Sequence, residues 1–190
     1  MLDRHAAQTL ATLHEGRRSH VYADSLGKLT VGIGCYLDRG GVPALFASLG
    51  IDFAAVRSGA ADLTDQQIDD VFSHDLDAAI ANARVDCPGV DDLPGPACLV
   101  LVDLAFQMGG RGLAAFHRML AAIGRGDWDT AANELLDSDE ARQTPVRAKS
   151  DAAILRSCAS IASVSDAERA QAEAAVYASL TDSTRAGFEA

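Results

Sequence analysis

Three side chains near the start of the chain could together cut a sugar polymer. Glu15, Asp24 and Thr30 sit in the frame His14-Glu15-Gly16 … Tyr22-Ala23-Asp24 … Gly27-Lys28-Leu29-Thr30-Val31-Gly32-Ile33-Gly34. Eight residues separate the two carboxyl groups and five more precede the threonine. Hydrolysis of a glycosidic bond needs one carboxylic acid to protonate the leaving oxygen. It needs a second carboxylate to activate water or attack the sugar. Each residue alone is bland: a glutamate ending a helix is commonly solvated, and an aspartate beside a turn is commonly a turn residue. The joint spacing carries the reading.

Those residues need a scaffold, and the sequence outlines one. Leu2, Ala6, Leu10 and Leu13 recur at helical spacing, which predicts a helix over 3–13 ending near Glu15-Gly16. Val21-Tyr22 and Leu29-Thr30-Val31 are β-prone, with Ser25-Leu26-Gly27 as a turn. Gly32 and Gly34 alternate with apolar residues, as where backbone approaches closely or a sheet bends. Gly40-Gly41-Val42-Pro43 is expected to close this β region. Thr64 and Gln67 form a capping box, and Leu63 with Ile68 a hydrophobic staple. They open a long helix whose apolar face runs from Ile68 through Leu76 to Ala83. Ala97–Met108 is apolar nearly all round apart from Asp103 and Gln107, so it reads as a buried central helix stopped by Gly109-Gly110. Helices are expected at about 113–123 and 128–137, and from Thr144-Pro145 to Ile161. Ser165 and Glu168 form a second capping box, opening a last helix to about Leu180, with 181–190 expected to fray. A small β region ahead of a helical remainder is an α+β pattern.

Composition narrows the partners. The 190 residues suffice for one domain, or one domain in two lobes. Against 27 acidic residues stand 16 basic ones, a net charge of −11. That excludes nucleic acid as the expected partner and slows encounter with an anionic cell wall. Cys35, Cys87, Cys98 and Cys158 lack paired-ligand spacing and read as reduced, mostly buried thiols. His14, His20 and His74 lack metal-ligand spacing, so no metal and no cofactor are expected. The first residues show no signal-peptide pattern and no stretch suits a membrane span. Synthesis in a reducing cytoplasm is expected, with export, if needed, supplied by another protein.

The triad frame resembles that of the phage-T4-type lysozymes, the muramidases of glycoside hydrolase family 24. The resemblance extends to Asp75-Leu76-Asp77-Ala78-Ala79, Ala105-Phe106-Gln107-Met108-Gly109, Trp128-Asp129-Thr130-Ala131-Ala132 and Gln143-Thr144-Pro145-Val146-Arg147-Ala148-Lys149. In order, these motifs span about residues 2–160. The resemblance implies a lysozyme-like domain over 1–164, with a β lobe at about 15–62 and a connecting helix at about 64–84. A helical lobe would comprise 1–14 plus 85–164, with the active-site cleft between lobes. Residues 165–190 would be a C-terminal helical extension, offering a surface to a protein partner.

The resemblance also implies roles. Glu15 would be the proton donor, which near neutrality requires a raised pKa. Asp24 would act as base on a water, or as nucleophile, with Thr30 holding the water. Arg147 would neighbour the glutamate. Phe106 and Gln107 would contact substrate, and so would Tyr36, where relatives carry an aliphatic residue. Relatives carry small or amide polar side chains at Met119 and Glu134, so those contacts are not expected here. Relatives also place a histidine at Cys35, ion-paired to the aspartate matching Asp75. Cysteine cannot make that pair at neutral pH. The expected function is cleavage of bacterial peptidoglycan between N-acetylmuramic acid and N-acetylglucosamine by a monomeric enzyme, in host lysis or wall penetration. The competing reading is a catalytically weakened binding or structural module of a phage tail or secretion machine.

Overall fold

The computed structural model describes residues 2–24, 26–109 and 112–188, with side chains through Leu180 apart from Asp166. Ser25 of the expected turn and Gly110 of the expected helix stop lie outside the described residues, as do 189–190 of the expected frayed end. The chain divides into two compact units: Ala11–Asp77, and the residues up to Leu10 together with those from Ala78 onward.

In the first unit, helix α1 (Arg4–Glu15) ends and a three-stranded antiparallel sheet begins. Strands β1 (Arg18–Ala23), β2 (Leu29–Gly32) and β3 (Cys35–Tyr36) lie in sequence order. Tyr22 opposes Thr30, Thr30 opposes Tyr36, and Val31 opposes Cys35. Directly opposed residues share a face, and neighbours along a strand point to opposite faces. One face therefore carries Val31 and Cys35, both buried; the other carries Tyr22, Thr30 and Tyr36, with the two rings half-buried.

Gly40-Gly41-Val42-Pro43 does not simply close the β region. Proline in the first turn opens helix α2 (Val42–Ser48), followed by α3 (Phe53–Arg57), which Asp52 caps at Ala55 N. Val42, Leu45 and Phe46 are buried at helical spacing, and Phe46 meets Phe53 edge-on at 5.7 Å. Helix α4 (Asp65–Asp86) starts as the capping box predicts: Gln67 N–H donates to Thr64 Oγ1 at 3.2 Å, and Thr64 N–H donates to Gln67 Oε1 at 2.9 Å. Leu63 and Ile68 are both buried, as a staple requires.

The second unit is helical and centred on α5 (Gly95–Met108), in which every residue from Gly95 to Ala105 is buried. The stretch expected as one helix at 113–123 is broken into a 3-10 turn at Gly112–Ala115 and α6 (His117–Ile123). Then follow α7 (Trp128–Leu136), α8 (Asp139–Gln143) and α9 (Pro145–Ile161). Thr144 precedes the proline that opens α9, but its hydroxyl makes no cap; it turns to the Glu140 carboxylate instead. Helix α10 (Asp166–Phe188) continues beyond Leu180 and packs on α9 and α5. None of the described helices is long and apolar enough to cross a membrane.

Candidate active site

Glu15 is the last residue of α1, with Gly16 turning the chain into β1. Its side chain lies against the backbone of Gly34. A Cβ added at Gly34 would stand 3.0 Å from Glu15 Cγ and 3.2 Å from its carboxyl carbon, and Gly34 has φ +71°. The second glycine of the G-x-G frame is thus the floor on which the glutamate rests. A side chain there would be strained and would displace Glu15.

Asp24 follows β1 and is fixed by the turn it initiates. Its Oδ1 accepts from Leu26 N–H and Lys28 N–H, each at 2.8 Å. Its own N–H donates to the Lys28 carbonyl at 2.9 Å, and Gly27 N–H donates to the Asp24 carbonyl at 2.9 Å. This is an Asx-type turn, so Asp24 serves the fold as a turn residue. Thr30, only 5% exposed, donates its hydroxyl to the same Lys28 carbonyl at 3.2 Å. The Lys28 backbone therefore ties Asp24 to Thr30.

Tyr22 reports on the electrostatics of this region. Burial pushes its hydroxyl up, the nearby Glu15 carboxylate adds to the rise, Arg18 offsets it, and Asp24 adds a smaller push. Both carboxyl groups therefore act on one ring that borders Thr30. Arg18 lies 4.5 Å from the Tyr22 ring centre and Lys28 5.3 Å from that of Tyr36. Glu15, Asp24, Thr30 and Tyr36 all belong to the Ala11–Asp77 unit.

The Cys35 departure is compensated within the same unit. Asp75, 6% exposed, accepts from Arg39 Nη2 at 2.5 Å and pairs with His74 Nδ1 at 3.3 Å. Arginine and histidine from other positions thus satisfy the carboxylate. Cys35 is packed as a small apolar residue, its thiol pushed up to about 12 by burial first and then by Asp75. Cys98 and Cys158 are likewise buried, Cys87 is half-buried, and all four thiols are free.

Phe106, Gln107 and Arg147 lie in the helical unit. Phe106 and Gln107 are half-buried at the C-terminal end of α5. Gln107 Nε2 donates to Glu140 Oε1 at 2.7 Å, so the same glutamate holds Gln107 and Thr144. Arg147 is buried on α9 with its Nε 3.3 Å from Asp103 Oδ2. Asp103 and Gln107, the two polar breaks in the apolar run, thus both have polar partners on later elements. Glu140 was not singled out from sequence; only its acidic character was visible, and its partners come from 33 and 4 residues away. Met119 is fully buried and Glu134 is paired with Arg118 at 2.6 Å.

The chain is similar to a probable T4-type lysozyme 2 of Dictyostelium discoideum, 25% identical over 141 residues, covering 70% of this chain and 83% of that protein. The phage lysozyme family model matches residues 12–149, a span that takes in the Glu15–Asp24–Thr30 frame, α5 and the start of α9. The chain therefore belongs to the phage lysozyme family.

Proposed function

We propose that this protein is a muramidase, hydrolysing the β-1,4 bond between N-acetylmuramic acid and N-acetylglucosamine in bacterial peptidoglycan. Glu15 donates the proton to the leaving oxygen. Asp24 acts on the attacking water, and Thr30 helps position it. The observation that carries this reading is the shared attachment of Asp24 and Thr30 to the Lys28 backbone. Tyr36, in the same unit as Glu15, Asp24 and Thr30, is proposed to contact the glycan. The biological setting that fits is host lysis or wall penetration.

The test is product analysis on purified peptidoglycan. A muramidase releases fragments with muramic acid at the reducing end, and Asp24→Ala should reduce their release by at least about a hundredfold. Release of fragments with glucosamine at the reducing end would contradict the bond assignment. A catalytically weakened binding or structural module of a phage tail or secretion machine is the second reading, favoured by one observation: the net charge of −11 opposes approach to an anionic wall. Equal and negligible release by the wild type and Asp24→Ala would select it.

A further inference from the structure

The Ala11–Asp77 unit contains five basic side chains other than histidine: Arg17, Arg18, Lys28, Arg39 and Arg57. Three are matched by carboxylates. Arg17 binds Asp69 at 2.7 Å and Asp65 at 3.2 Å, Arg39 binds Asp75, and Arg57 binds Asp38 at 2.8 Å. Arg18 and Lys28 differ: among the described residues neither has a carboxylate partner, and each lies over a tyrosine ring. In so acidic a chain, pairing would be the easy outcome. These two cations instead lie over Tyr22 and Tyr36, the rings that share one sheet face with Thr30.

Lys28 occupies the more informative place. Its backbone holds Asp24 and Thr30, so its side chain starts at the proposed reacting groups. Its ammonium sits 5.3 Å from the centre of the half-buried Tyr36 ring. An aromatic face takes the apolar face of a sugar, and a neighbouring ammonium takes a carboxylate through a charge-assisted hydrogen bond. We propose that Lys28, positioned on Tyr36, is a specificity residue that binds a carboxylate carried by the lactyl or peptide substituent of the muramic sugar. The enzyme thereby prefers a carboxylated glycan to a neutral one, although its overall charge disfavours such a substrate.

This inference rests on the muramidase reading, and the test separates the two. Purified Gram-negative peptidoglycan is compared with the same material after its carboxylates are amidated by carbodiimide and methylamine, at about 0.15 M salt to screen long-range repulsion. The readout is kcat/KM from released reducing ends. Wild type should favour the native material by about tenfold, the scale of one charge-assisted hydrogen bond. Lys28→Met should bring that ratio close to one, chiefly through KM, whereas Lys28→Arg should retain it. Arg125→Met, which removes an equal charge from an exposed position in the helical unit, should keep the wild-type ratio. No preference in the wild type, or a preference unaltered in Lys28→Met, overturns the proposal. The sugar at the released reducing end isolates the underlying reading: if it is glucosamine rather than muramic acid, the muramidase assignment fails instead.

Discussion

Gly34 and Glu15 constrain each other, which makes the glycine a direct probe of the acid's placement. Alanine at φ +71° costs about 1–2 kcal/mol, and its methyl group would push on the glutamate side chain. Gly34→Ala should therefore lower both melting temperature and kcat, the latter by at least about tenfold if a displacement on the order of 1 Å follows. Wild-type kcat in a folded Gly34→Ala variant would show that Glu15 does not need that floor. The Arg39–Asp75 pair offers a second residue-scale test. Removing Arg39 leaves a nearly buried carboxylate with His74 as its remaining described partner. Arg39→Met should cost about 1–3 kcal/mol in urea unfolding, while an unchanged midpoint would show the pair to be dispensable. The Glu15–Asp24–Thr30 spacing was legible because it is local. The Arg39 replacement was not, since it joins residues 36 apart that no periodicity links.

Local chemistry was likewise readable at the scale of elements, and distant partnerships were not. The Thr64–Gln67 box formed because donor and acceptor are three residues apart on one helix turn. Thr144 failed as a cap because a competing acceptor, Glu140, lies within reach on α8. Helix α2 was missed although Val42, Leu45 and Phe46 have helical spacing, because Gly40-Gly41 and Pro43 read as loop punctuation. The docking of α10 could not be foreseen at all. Pro94, the N-cap of α5, provides no side-chain acceptor, and Glu173 on α10 accepts from Gly95 N–H at 2.8 Å instead. Gly95 must be small there, since a Cβ would stand 3.0 Å from Glu173 Oε2 and collide with the Tyr177 hydroxyl. The extension thus caps the central helix of its own unit. Glu173→Ala should lower stability by about 1 kcal/mol, as loss of a helix cap does. An unchanged melting temperature would mean that solvent replaces the carboxylate without cost.

For the molecule as a whole, charge governs both stability and encounter. Asp151 is completely buried, with no hydrogen-bond partner for either carboxyl oxygen among the described residues. Burial holds its acid well above the usual carboxylate range; the Asp103 carboxylate adds to the rise, Arg147 offsets it, and Glu140 adds a further push. The folded state therefore binds this proton more tightly than the unfolded chain. Its contribution to stability is fully present below about pH 4 and declines as pH rises toward the folded value. Asp151→Asn should flatten the fall in melting temperature from about pH 4 to about pH 8; an unaltered slope would place the titration elsewhere. At −11 the enzyme and an anionic wall repel, so raising ionic strength from about 0.01 M to about 0.1 M, which shortens the screening length from about 30 to about 10 Å, should speed wall lysis. The central claim remains that Glu15 is the acid of a working glycosidase. Its most direct test is reducing-end release from purified peptidoglycan by wild type and Glu15→Gln, with folding of both checked by circular dichroism. The account predicts that the folded variant loses at least about a hundredfold in kcat; near-wild-type release by Glu15→Gln would contradict it.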